Sequence, residues 1–131
     1  MEQPILVINR IGTLRRLTIQ ILKNLGYHRL TEVENLLQAE KKLRENFSPG
    51  IILLELGGSW LKTPVFDFMD LLVTEGWNQK YKVISTLEIH DHSVIKQLKE
   101  KGIQEVIYQT FNLTTFSDDL NSALKKIPPL T

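Results

Sequence analysis

Residues 51–58 read IILLELGG: four consecutive aliphatics, one more leucine after a single acid, then two glycines. A run this dense without alternation reads as a strand buried on both faces, the habit of parallel sheets. The carboxylate of Glu55 at its end is the feature that needs a reason. Ser48-Pro49-Gly50 breaks the chain just before the run, and residues 57–62 follow it as a loop.

Working outward, the same pattern recurs. Pro4 opens PILVIN, a first buried strand over Ile5 to Ile8. The loop Asn9, Arg10, Ile11, Gly12 leads to LRRLTIQILKNLG, a helix with Thr13 as its cap. Leu14, Leu17, Ile21 and Leu25 form its apolar stripe, beside Thr18 and Leu22, and Gly26 suits a left-handed terminus. YHRLTEVE gives a short mixed strand. NLLQAEKKLREN is a second helix, capped by Asn35, with Leu36, Ala39, Leu43 and Phe47 on one face. Thr63-Pro64 starts a third helix with Thr at the cap and Pro at the first helical position. YKVIST is the fourth strand, HDHSVIKQLKEKG the fourth helix, IQEVIYQ the fifth strand and NLTTFSDDLNSALKKI the fifth helix. The final PPLT is either a terminus or the start of a linker.

Strand and helix alternate five times in units of about 25 residues, which argues a parallel sheet covered by helices on both faces. The chain of 131 residues suits one domain, 1–131. In such sheets, ligands bind beyond the carboxyl ends of the strands. That rule places Asn9 and Arg10 after strand one, Glu55 at the end of strand three, Thr86 at the end of strand four and Gln109 at the end of strand five. All five are expected around one crevice.

Composition narrows the chemistry. Sixteen basic against fifteen acidic residues leave a net charge of +1, too little for a non-specific nucleic-acid or anionic-membrane footprint. No apolar stretch approaches a membrane span, and the first apolar run is too short for a signal peptide. With no cysteine, disulfides, thiolate metal sites and cysteine nucleophiles are excluded, and a cytoplasmic protein is expected. The loop NRIGT carries neither a phosphate-binding loop nor a dinucleotide fingerprint. EIHDH, Glu88 to His92, invites a metal, but no third ligand is evident, and a helix start capped by Asp91 or Ser93 accounts for it. Arg15, Arg16, Lys23 and Arg29 read as a solvated helix face. Trp77 reads as packing, and Trp60 as either packing or an exposed anchor.

The five-unit order resembles the receiver domain of bacterial response regulators, in the flavodoxin-like doubly wound class. The likeness rests on ILVINRIGTLRRLTIQILKNLGY at the start and on VISTLE and KEKGIQEVIYQTFNLTTFSDDLNSAL later, and runs from about Ile5 to Ile127. The resemblance implies α/β architecture with strand order 2-1-3-4-5. In that family two acids after strand one help hold magnesium, and an aspartate ending strand three accepts a phosphoryl group from a histidine kinase. A Ser or Thr ends strand four, and a Lys-Pro pair follows strand five.

Position by position, the acid pair falls on Asn9 and Arg10, the phosphoacceptor on Glu55, the hydroxyl on Thr86, the lysine on Gln109 and the proline on Thr110. The aromatic switch place falls on Val106, with Tyr108 two residues on along the same strand face. Magnesium favours carboxylate oxygens, so its binding is expected to be weak or lost, with no other cofactor. Phosphoryl transfer needs metal and cationic clamps and in-line geometry. Glu55 extends one bond further than aspartate, about 1.5 Å. The phosphotransfer and autophosphatase chemistry is therefore expected to be lost, leaving a pseudo-receiver that works by protein contact. Glu55 then either holds one state through Thr86 or simply pairs with Arg10. The face implied for partners is helix four, strand five and helix five, with His90, Asp91, Lys96, Val106, Tyr108 and Phe111. The partner is another signalling protein, a linked output domain or a second copy. The alternative is a domain whose crevice of Arg10, Glu55, Thr86 and Gln109 holds a small polar molecule or anion.

Overall fold

The computed structural model describes residues 3–45, 50–56, 63–87, 91–108 and 112–127. The elements are β1 (Ile5–Ile8), α1 (Gly12–Asn24), β2 (Leu30–Val33), α2 (Leu36–Arg44), β3 (Gly50–Leu56), α3 (Thr63–Thr74), β4 (Tyr81–Leu87), α4 (His92–Glu100), β5 (Glu105–Tyr108) and α5 (Leu113–Lys126). A single 3-10 turn, Trp77–Gln79, lies between α3 and β4. All four strand pairings are parallel, and the order across the sheet is β2-β1-β3-β4-β5. The expected five-stranded doubly wound architecture is what forms.

Side chains alternate across the strands. Leu6, Ile8, Ile52, Leu54, Val83 and Leu87 face a core closed by α2, α3 and α4. Ile5, Val7, Ile51, Leu53, Ile84 and Ile107 face a second core closed by α1 and α5. All seven residues of β3 are buried, as its unbroken aliphatic run required. Each fully buried Leu or Ile contributes about 1.5–3 kcal/mol through removal from water, so the three inner strands, β1, β3 and β4, anchor both cores.

The helix ends follow local chemistry. Asn35 Oδ1 accepts from Gln38 N at 2.8 Å, and Asp91 Oδ1 accepts from Ser93 N and Val94 N. Asn112 Oδ1 likewise accepts from Thr115 N. Gly26 and Gly102 have φ of 101° and 106°, where a side chain would be strained. After each glycine, the next residue's amide bonds the carbonyl five residues back: Tyr27 N to Leu22 O and Ile103 N to Leu98 O.

The structure corrects the sequence reading in several places. Thr13 does not cap α1. The helix begins at Gly12, with Ile11 at the cap position and no side-chain cap bond. Asn9 Oδ1 accepts from Ile11 N at 2.9 Å, turning the chain two residues sooner than a Thr13 cap would. α3 is helical from Thr63 itself rather than starting after it. β2 starts at Leu30, opposite Ile5, later than its sequence pattern, and β5 starts at Glu105, opposite Ile84. Phe47, the Ser48-Pro49 break, the 57–62 loop with Trp60, and PPLT lie outside the described residues. Trp77 packs against the core as expected, with the Arg44 guanidinium 5.2 Å from its ring centroid.

Candidate functional site

Because every strand runs the same way, the carboxyl ends of β1, β3 and β4 meet at one edge of the sheet. Ile8 pairs in register with Leu54, so Asn9 is level with Glu55, and Glu55 pairs directly with Thr86. Asn9, Glu55 and Thr86 share strand parity with Val7, Leu53 and Ile84, so they point to the α1/α5 side. They are buried there, with 6%, 2% and 6% of their surfaces exposed. A charged side chain is rarely so enclosed without a partner. Arg10 supplies one: its Nε lies 3.4 Å from Glu55 Oε2, with the Glu55 side chain 1% exposed and that of Arg10 38%. A guanidinium keeps its charge at any physiological pH, so it is a permanent counter-charge.

Below these residues is a cavity of about 10 Å³, the size of one water molecule, lined by Asn9, Thr18, Glu55, Thr86, Leu53 and Phe116 among others. Thr18 reaches it from α1 and Phe116 from α5. Thr18 Oγ1 donates to Leu14 O at 2.8 Å, so its hydroxyl is satisfied within the helix.

The loop carrying Asn9 and Arg10 is held from two sides. Asn9 Oδ1 turns back to Ile11 N, and Arg15 Nη1 donates to the Asn9 carbonyl at 2.9 Å. Arg15 also meets Glu32 through Nε at 3.0 Å and Glu34 at 3.8 Å. Its side chain is 12% exposed, so it is not part of a solvated face. Sequence reading missed this residue because Arg15 and Arg16 look alike. The only available signal was that residue 15 lies one turn after Ile11, on the side where β2 pairs with β1. Arg16 is exposed, as expected.

Gln109, Thr110, His90 and Phe111 lie outside the described residues. Asp91 caps α4 and Lys96 is exposed on it. Val106 and Tyr108 are half-buried and pair with Ser85 and Leu87 of β4. Ser85 Oγ is fully buried with no hydrogen-bond partner among the described residues, directly beside Val106. Among the described residues there is no group of three or more acids and histidines able to hold a metal. No described helix is long and apolar enough to cross a membrane.

A doubly wound sheet of strand order β2-β1-β3-β4-β5 is a fold that this chain shares with solved response-regulator receiver domains. Solved structures of that class match nearly the whole chain. The Mn²⁺-bound form of response regulator Rcp1 is similar at 17% identity and TM-score 0.78, covering 98% of this chain and 99% of its own. The Vibrio cholerae chemotaxis protein CheY4 is similar at 14% identity and TM-score 0.74, over 95% of this chain and all of the other. A CheY-like receiver domain protein from Methanospirillum hungatei JF-1 gives 14% and 0.68 over 94% of both chains. At such identities the likeness is one of fold. No protein-family model matches the sequence, and no curated protein does.

Proposed function

We propose that this chain is a receiver-type signalling domain of a two-component-type system that no longer takes part in phosphotransfer and acts by binding other proteins. The observation that carries this reading is the ion pair between Arg10 and Glu55. Receiver domains need a metal and an open carboxylate at that place. Rcp1 is described with bound Mn²⁺. Here one carboxylate faces a fixed cation, and the Asn9 amide oxygen is engaged by Ile11 N. A divalent cation bound largely through carboxylate and water oxygens does not fit that donor set. Arg10 already supplies Glu55 with the positive charge that a bound cation would bring, which supports a static charge pair rather than a phosphate-driven switch.

Output then runs through contact surfaces. The face formed by α4, β5 and α5, with Asp91, Lys96, Val106 and Tyr108, is the surface assigned to a signalling partner, a linked output domain or a second copy. Incubation with acetyl phosphate and Mg²⁺ followed by mass spectrometry tests the central claim. The expected result is no phosphoryl adduct. A stable adduct on Glu55 or any other residue overturns the reading.

A second reading follows from the partial exposure of Arg10: the crevice takes a small anion on that guanidinium. A thermal shift with inorganic phosphate beyond that of chloride at equal ionic strength, lost in Arg10→Ala, would favour it.

A further inference from the structure

We propose that the outer face of α2 and α3 is a docking surface for a second copy of this chain. The first observation is Leu37, 76% exposed and the most exposed large apolar residue among those described. α2 buries Ala39 and Leu43 and half-buries Leu36. Leu37 lies about 100° further round the helix, on a face that a monomer would make polar. The second observation is that Leu37 helps line a groove of about 370 Å³ between α2 and α3. Leu36, Phe68 and Leu71 line it, and Glu40 and Asp67 add acid.

Charge complementarity selects the occupant. Most charged groups here are already matched: Arg44 with Glu40 and Glu75, Lys42 with Glu45, and Glu34 with Arg15. Lys41 and Asp67 are exposed and form no ion pair among the described residues. Lys41 follows Leu37 by one helical turn, and Asp67 lines the groove beside it. Among the described residues the surface thus offers one apolar knob, one apolar groove, one unmatched cation and one unmatched anion. That set is complementary to itself.

A two-fold axis that sets α2 antiparallel to its copy makes such a surface isologous. Each Leu37 enters the other copy's groove, and each Lys41 approaches the other copy's Asp67. The opposed helix dipoles of the two α2 segments favour the same arrangement. This face is separate from the α4, β5 and α5 surface proposed above, so either can be tested without the other.

Sedimentation velocity across a wide concentration range is the test. The chain is expected to form a dimer, and Leu37→Glu to weaken it about tenfold or more. Its exposure means the variant should fold, which circular dichroism checks. Lys41→Glu and Asp67→Lys should each weaken the dimer, and the double variant should recover it. Tyr108→Ala should leave it unchanged. A chain that stays monomeric overturns the proposal and leaves the groove to a different protein. A dimer indifferent to Leu37→Glu, or lost in Tyr108→Ala, also overturns it. Failure of the double variant to recover the dimer rejects the antiparallel pairing.

Discussion

The two ends of β3 are built by opposite means. At its amino end the strand is fixed by close backbone contacts. Gly50 N donates to Lys80 O, Ile51 N donates to Pro4 O at 2.9 Å, and a Cβ on Gly50 would stand 2.2 Å from that same Pro4 oxygen. At its carboxyl end the strand is held by side chains: a buried carboxylate, a guanidinium and an amide that turns the neighbouring loop. Packing at the amino end allows no added atom. The carboxyl end instead matches opposite charges, Glu55 against Arg10. In a parallel sheet this division follows from direction, since the loops that carry variable residues leave the carboxyl ends.

The sharpest way to break the comparison is at the amino end. Gly50→Ala forces a methyl into a backbone oxygen that cannot move without shifting β1. A loss of about 3 kcal/mol is expected, read as a lower denaturant midpoint with unchanged slope. A loss below about 0.5 kcal/mol, the ordinary surface range, would show that the end is looser than its contacts suggest.

Next comes the charge pair. Arg10→Ala leaves Glu55 buried without that partner, and a loss of about 2 kcal/mol is expected, below the fully buried range because Arg10 is partly exposed. Glu55→Gln in the Arg10→Ala background should restore part of it. A double-mutant cycle with no coupling would mean that Arg10 and Glu55 are neighbours without being partners.

The smallest effect is expected one shell out. Arg15→Ala removes the bond to the Asn9 carbonyl and the pair with Glu32, at a cost of about 1 kcal/mol. It should also speed amide exchange at Ile11, whose N–H depends on the turn at Asn9. Unchanged exchange would show that Asn9 alone holds the loop, whatever the stability change.

These outcomes bear on how much of the molecule was readable in advance. The aliphatic runs at 5–8 and 51–56, the caps at Asn35 and Asp91 and the glycine at 26 each carry a local signal, and each fell where expected. The failures lie where a distant atom decides. Thr13 looked like a cap until Asn9 turned the chain first. Arg15 looked like Arg16 until β2 placed Glu32 and Glu34 beside it. Leu37 looked like one more leucine in LLQAEKKL, and only the packing of α3 beside α2 made it a knob above a groove.

The sequence by itself determined the alternation of strand and helix, the parallel sheet and the residues at its carboxyl edge, because periodicity and local capping are properties of neighbouring residues. It also named Glu55 as the unusual acid. Only the tertiary structure decided what meets that acid. Register set Asn9 level with Glu55 and Thr86 opposite it, and the turn at Asn9 placed Arg10 3.4 Å away. Those contacts join residues more than thirty positions apart, where no local propensity reaches and the geometry of the whole sheet sets the distance.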